Sequence, residues 1–435
     1  MVATIHPLFK TPIPDKWKLV TVDDIKSPEK SSCVAGPFGS NISSKFFVGS
    51  GVPVIRGSSL RDDLTRFVPE GFVFVSEEQA TKYKAQHVRA GDLVFTCWGT
   101  VGQVGLIPEN GPFPEYIISN KQLKLRPNLE ISDPVYLFFY FAGPKMVQHV
   151  LGKAIGAAVP GINLGILKGL PVVLPPLPVQ RRIAGILSAY DELIENSQRR
   201  IRILEAMARA LYREWFVLFR FPGHEKVPRV ASPLGDIPQG WEVKRVPECV
   251  DISPHVVVPR DGEKPFVPMG CLSNDSMLIT DIESRDGNSG AKFQNGDTLF
   301  PRITPCLENG KTGFVQFLPD AQAVAFGSTE FIVLRSRTLT PELVYLLARS
   351  NEFRGNAIKS MSGATGRQRV QERCFDDFKI VHPTRALLNR FSAIVAPSFR
   401  LIQKLHLQIQ NLRRTRDLLL PRLLSGQVNL NGKAI

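Results

Sequence analysis

The sequence predicts an α+β fold. Two similar strand-rich α/β blocks are held apart by two long helices that form an antiparallel coiled coil, with an internal pseudo-two-fold repeat. Three observations predict this: phrases that recur about half a chain apart, two long apolar seams in matching register, and strand signals in the stretches between them.

The recurring phrases come first. Ile13-Pro14-Asp15-Lys16-Trp17 returns as Ile237-Pro238-Gln239-Gly240-Trp241, and Ala90-Gly91-Asp92-Leu93-Val94-Phe95 as Asn295-Gly296-Asp297-Thr298-Leu299-Phe300. Asp133-Pro134-Val135-Tyr136-Leu137 is matched by Thr340-Pro341-Glu342-Leu343-Val344-Tyr345-Leu346. Each of this last pair sets an N-cap residue before Pro at the first helical position and then an amphipathic run. A period this long is a duplicated half-protein rather than a solenoid.

The seams come next. LPPLPVQRRIAGILSAYDELI, residues 174–194, turns from a proline cluster into a helical pattern. Alternating steps of four and three pick out Ile183, Leu187, Tyr190, Ile194, Ser197, Ile201, Leu204, Ala208, Leu211 and Trp215. The same steps from Phe391 give Val395, Ser398, Ile402, Leu405, Ile409, Leu412, Arg416, Leu419 and Leu423, the first series displaced by 208 residues. Apolar spacing of 3.5 residues over four heptads argues a coiled-coil seam. In the first block EGFVFVSEE, AGDLVFTCWGTVGQVGLIPE and SNKQLKLRPN read as strands; NGDTLFPRITP, NGKTGFVQFLP and STEFIVLRSR match them in the second. Each block then has a short helix, about 134–150 and 341–359, and a Gly-rich loop. The expected division is 1–177, 178–221, 222–383 and 384–435: block, helix, block, helix with tail.

At 435 residues with ordinary apolar and charged fractions, the chain has room for two or three cores. No apolar run approaches the ~20 residues of a membrane span, and the start lacks a signal peptide's apolar core. A cytoplasmic location is expected. The six cysteines show no CxxC pair and no His at ligand spacing, so buried free thiols and no metal are expected. The net charge of +14 favours a polyanionic partner. Residues 384–435 carry 9 basic and 1 acidic side chains, whereas residues 222–383 carry 19 and 20. Polyanion-binding surfaces on the blocks must therefore come from local patterning.

Catalytic motifs fail in turn. Gly310-Lys311-Thr312 lacks the glycine that a P-loop needs five residues earlier, where Pro305 stands. The loop Gly99–Gly105 has the wrong spacing for a dinucleotide fingerprint. Glu242-Val243-Lys244 is not carried by its repeat mate Lys18-Leu19-Val20. No methyl-donor glycine motif, no amino-methylating motif and no nucleophile elbow is found, so the expected catalytic residues are none. Recognition is the better reading. Ser360–Val370 is small, glycine-bearing and basic: arginine neutralises phosphate, and glutamine pairs with adenine edges. Candidate DNA contacts are Arg367, Gln368 and Arg369 here, Arg302, Asn309 and Lys311 on the preceding turn, and Arg56 and Trp98 in the first block. A plain connector is the alternative for the loop.

With these features in order and duplicated, the chain resembles the specificity subunit of a type I restriction–modification system over essentially its whole length. The resemblance rests on the Ile-Pro-x-x-Trp openings, Pro175-Pro176-Leu177-Pro178-Val179-Gln180, Gly296–Phe300, Glu308–Thr312 and Leu418–Gly426. The second helix departs from the family pattern, starting from Pro383-Thr384-Arg385-Ala386-Leu387-Leu388 without the glutamine. The resemblance implies that each block is a target-recognition domain for half of a split, asymmetric site in double-stranded DNA. It also implies that the helices set the gap and dock modification (methyltransferase) subunits, two of them, which a restriction (translocase and nuclease) subunit joins. S-adenosylmethionine, ATP and Mg are then expected on those partners, and no cofactor on this chain. A stand-alone DNA-modifying enzyme and a DNA-binding coiled-coil scaffold are the rival readings. The first needs a catalytic motif, and the second leaves two similar but non-identical blocks unexplained.

Overall fold

A computed structural model describes residues 4–39, 41–156, 160–364, 366, 368–428 and 430. The chain divides into two compact units: residues up to Glu192 with those from Leu412 onward, and Leu193–Asn411. The division cuts both long helices, Leu177–Tyr212 and Arg385–Leu424, so each unit owns a segment of each.

Each unit contains the same sheets. In the first, a four-stranded sheet runs Cys33–Ala35, Gln122–Leu125, Leu93–Thr96, Val104–Leu106. Its counterpart in the second runs Val250–Ile252, Phe331–Ser336, Thr298–Pro301, Gly313–Phe314. A second sheet in the first unit places Val73–Val75, Val52–Ile55, Tyr116–Ile118 and His87–Val88 side by side. The same order recurs with Glu283–Arg285, Lys264–Val267, Val324–Gly327 and Ala291–Gln294. In both, the middle pair is parallel and the outer pairs antiparallel; the first unit adds Phe47–Val48 at one edge. The strand signals mark three of the four strands of the first sheet in each unit, missing Cys33–Ala35 and Val250–Ile252, and of the second sheet mark Val73–Val75 alone.

The repeated Gly-Asp phrase explains the shared register. Gly91 and Gly296 take φ of +83° and +89°, a turn that side chains disfavour. The following carboxylates, Asp92 and Asp297, are buried. Asp92 accepts two hydrogen bonds from Arg126, at 2.8 and 2.7 Å, and Asp297 accepts two from Arg335, both at 2.7 Å. The arginine follows the neighbouring strand Gln122–Leu125 in one unit and is the penultimate residue of Phe331–Ser336 in the other. A fork-to-fork pair of this kind carries geometric specificity as well as energy.

The single short helix expected in each block is two. Pro134–Ala142 and Pro144–Leu151 meet at Gly143, which the next proline forces into extended backbone. Pro341–Ala348 gives way to Asn351–Lys359 because Ser350 caps a new start, its Oγ accepting from Phe353 N at 3.2 Å. The caps at Asp133 and Thr340 form as the sequence suggests.

Within the first unit, Ile183 and Leu187 at the start of one long helix share a core with Leu420, Leu423 and Leu424 at the end of the other. Within the second, the far end of the first helix meets the start of the second, with Trp215 and Phe216 ring centroids 5.8 and 4.8 Å from Phe391. The helix segments of each unit therefore pair antiparallel. Along the seam Ile183, Leu187, Ile194, Ile201, Phe391, Val395, Ile402, Leu405 and Ile409 are buried. Tyr190, Leu204, Leu211, Leu412 and Leu419 are half-buried. The Ile-Pro-x-x-Trp openings pack where a long helix ends: Pro14 and Trp17 on Gly426, and Trp241 on Phe216, Phe219 and Phe221.

The two helix starts differ as their sequences do. Buried Gln180 donates to Ile131 O and Pro175 O and accepts from Asp133 N. Leu388, at the matching position, is buried without a polar role, and Thr384 Oγ1 caps that helix weakly, 3.4 Å from Leu387 N. All six cysteines are free, four of them buried, and burial raises the Cys33 and Cys97 thiols to about 11. Among the described residues no helix is long and apolar enough to cross a membrane, and no His/Cys/Asp/Glu group could hold a metal ion.

One seam position of the first unit carries a charge. Arg416 is buried and lies 2.8 Å from Asp191 Oδ1, and Arg66 also reaches Asp191, at 3.4 Å, and Ser188 Oγ, at 2.6 Å. Burial pushes the Asp191 carboxyl above its ordinary pKa against the pull of both arginines. Without Arg416 the Asp191 carboxylate keeps only the longer contact with Arg66, too little to offset its burial. Arg416→Ala is expected to lower unfolding stability by about 3 kcal/mol, and Asp191→Leu with Arg416→Met to recover most of it. Chemical denaturation followed by circular dichroism checks both; an unchanged midpoint for Arg416→Ala contradicts the account.

Candidate nucleic-acid interface

In each unit the central strand, Leu93–Thr96 or Thr298–Pro301, runs into a turn, and the Gly-rich loop docks on that turn. Ile162 N donates to Cys97 O at 2.9 Å, and Val370 N donates to Arg302 O at 2.8 Å. Each loop closes on itself through a two-bond ladder: Ile155 with Gly161, both bonds 2.9 Å, and Ser362 with Arg369, 3.0 and 2.9 Å. Gly161 is required because a Cβ there would lie 2.4 Å from the Trp98 ring. Loop and turn thus form one surface in each unit, built on the same backbone pattern with different side chains.

The turns are supported differently from beneath. In the first unit Val147 packs under Gly102. In the second, Arg354 fills the equivalent space. Its guanidinium donates to Leu307 O and Thr312 Oγ1, each at 2.6 Å, and to Gly310 O at 3.3 Å. It also lies 5.4 Å from the Phe300 ring centroid. Burial, with Arg349 beside it, brings its pKa down to about 10. Carbonyl oxygens take the place of a counter-ion, so this cation depends on the turn and the turn on it.

The sequence-selected residues fall on this surface with unequal freedom. Arg302 forms an ion pair with Glu372 at 3.1 Å and donates to Val370 O at 3.3 Å. Lys311 Nζ donates to Met269 O at 3.0 Å, clamping the turn to the other sheet's connection. Arg369 is exposed but paired with Glu330, its Nε 3.0 Å from Oε2, and Arg369 holds the Glu330 carboxyl below its ordinary pKa. Arg56 lies on the turn after Val52–Ile55 and donates to Gly71 O at 3.3 Å. A Cβ on the next residue, Gly57, would sit 3.7 Å from Thr100 Oγ1, so this turn borders the one carrying Trp98. Asn309 is exposed, Gln368 half-buried, and neither side chain has a hydrogen-bond partner among the described residues. Trp98 is 43% exposed. Arg367 lies outside the described residues. Arg354, Glu330 and Glu372 escaped the sequence reading; they act through partners 39 to 70 positions away, and no local signal marks them.

Residues 14–206 match the family model described as the type I restriction modification DNA specificity domain. Over 432 residues the chain is 22% identical to the type I restriction enzyme MjaIX specificity subunit of Methanocaldococcus jannaschii, covering 96% of this chain and 95% of that protein. The chain is thus similar to a type I specificity subunit over nearly its whole length, and its residues 14–206 match the specificity domain. The MjaVIII specificity subunit of the same organism is 31% identical over 137 residues, 31% of either chain. The EcoEI specificity subunit of Escherichia coli is 30% identical over 155 residues, 34% of this chain and 26% of that one. In fold, the chain is similar to the type I restriction–modification S subunit from M. genitalium. The TM-score is 0.57 at 14% identity, covering 97% of this chain and 99% of that one. The duplicated sheets and paired helix segments are thus a fold of the kind seen in that S subunit.

Because Glu330 already neutralises Arg369, removing the arginine alone would leave a carboxylate facing any nucleic acid there. Arg369→Ala is expected to weaken duplex binding by the assembled complex more than Arg369→Ala with Glu330→Gln. Fluorescence anisotropy at several salt concentrations compares them, and equal affinities for the two variants and the parent would take this pair out of the interface.

Proposed function

We propose that the chain is the DNA-reading subunit of a type I restriction–modification complex, with each unit reading one half of a bipartite, asymmetric site. The observation that carries this is the repeated loop-on-turn surface. One backbone arrangement presents Trp98, Thr100 and Lys153 in one unit and Asn309, Gln368 and Arg369 in the other. Base readout depends on which donors and acceptors reach the groove, so one scaffold with two side-chain sets suits two different half-sites.

In this reading the chain is non-catalytic and works in the cytoplasm, where its substrate is. The long helices set the gap between half-sites and dock two modification subunits, and a restriction subunit joins them. S-adenosylmethionine is bound by the modification subunits, and ATP and Mg by the restriction subunit. Cations already committed to carbonyls, Lys311 and Arg354, keep the reading surface in shape; Asn309 and Gln368 are the free groups placed to meet base edges.

Exchanging residues 13–176 for the corresponding block of another specificity subunit is expected to change one half of the methylated motif and leave the other intact. Methylome sequencing of cells carrying the hybrid reads this directly, and a change in both halves would overturn modular reading. Within the second half-site, Gln368→Ala is expected to cost ~1–3 kcal/mol on the cognate duplex and relax one position.

A further inference from the structure

The first unit has a second charged feature, at the other end of its four-stranded sheet. The candidate interface follows Thr96; Arg126 lies beyond the pairing of Leu125 with Leu93, at the opposite end of the central strand. There a cleft of about 330 Å³ is lined by Lys30, Lys84, Arg89, Lys124 and Arg126, with His87 and Glu115. The carboxylates around it are engaged. Glu29 pairs with Arg89 and Arg126, each at 2.9 Å, Asp92 with Arg126 at 2.7 Å, and Glu115 with His87 Nδ1 at 3.0 Å. Lys30 and Lys84 are exposed and form no ion pair among the described residues.

Lys124 is the telling residue. It is 2% exposed, and its ammonium donates to Ala85 O at 2.6 Å and His87 O at 3.0 Å. Its third N–H has no partner, and no carboxylate comes within ion-pair distance among the described residues. Burial first, and then Arg126, bring its pKa down to about 8. The duplication supplies an internal control. Strand register aligns Lys124 with Val333, a buried core residue. Arg89, whose N–H donates to Asp92, aligns with Gln294, whose N–H donates to Asp297. Arg126 keeps its twin in Arg335. The fold therefore needs the Asp–Arg pair but not the other cations, and a valine serves where the first unit buries an ammonium at a desolvation cost.

We propose that this cleft is a phosphate-class oxyanion site, with Lys124 as the fixed donor at its base and Lys30 and Lys84 as its exposed cations. Charge-assisted bonds to an oxyanion would satisfy the third N–H of Lys124 and offset the surplus of positive charge. A duplex backbone phosphate and a free phosphate, inorganic or on a nucleotide, share this chemistry. The site goes beyond the reading surface above, and binding of inorganic phosphate can be tested whether or not that surface touches DNA.

Titration of the full chain with inorganic phosphate, followed by calorimetry, is the test. Saturable binding of one phosphate is expected, weakened about tenfold for each cation lost in Lys30→Ala and Lys84→Ala. Both residues are exposed, so these variants keep the fold, which circular dichroism verifies; Lys124→Met should abolish binding. Absence of saturable binding, or equal affinity in the parent and the double variant, overturns the proposal. Duplex titrations across salt concentrations identify the source. With a backbone phosphate as the occupant, the double variant lowers the salt slope by about two. With free phosphate, the slope is unchanged while phosphate affinity falls.

Discussion

The buried pairing of Asp92 with Arg126, and of Asp297 with Arg335, is the constraint on which each unit's architecture depends. The carboxylate sits on the turn that opens the central strand, and the guanidinium lies at the end of the strand beside it. A one-residue slip would separate them and turn every side chain to the wrong face. Breaking such a buried pair costs about 3–5 kcal/mol, because the surviving charge is left unpaired. Register set at one end of the strand positions the turn at the other, where the Gly-rich loop docks.

From that anchor, the candidate interface reads as a scaffold with a small variable part. Backbone bonds from Ile162 to Cys97 and from Val370 to Arg302 hold loop to turn in the same way in both units. What differs lies above and below: Val147 or Arg354 as support, Trp98 or the Arg369–Glu330 pair at the surface. Duplication followed by divergence confined to such positions yields two surfaces of one shape and different chemistry. The phosphate-class cleft belongs to the same pattern, since its Lys124 stands where the other copy has the core residue Val333.

Much of the fold was legible because its signals are local and doubled. The Gly-Asp turns, the Asp133 and Thr340 caps and the seam residues announce themselves by type and spacing. So does Gln180, whose absence from the second helix start leaves Leu388 in its place. The site was less legible, and for a physical reason. Arg302, Lys311 and Arg369 look like free cations in the sequence, yet the fold commits them to Glu372, Met269 O and Glu330. Those partners lie 39 to 70 positions away, beyond any spacing rule. Net charge therefore misjudged which side chains are available, and Asn309 and Gln368, unremarkable in composition, emerge as the uncommitted groups. Most strands of the second sheet in each unit were hidden likewise, since no repeated phrase of the sequence falls on them.

The central claim is that both loop-on-turn surfaces meet DNA at once. Hydrogen–deuterium exchange of the assembled complex, with and without its cognate duplex, tests it most directly. The account predicts slowed exchange over the 97–103 turn with its docked loop, and equally over residues 302–311 and 361–370, with little change in the buried strands behind them. Protection confined to one unit, or falling only on segments outside these loops and turns, would contradict it.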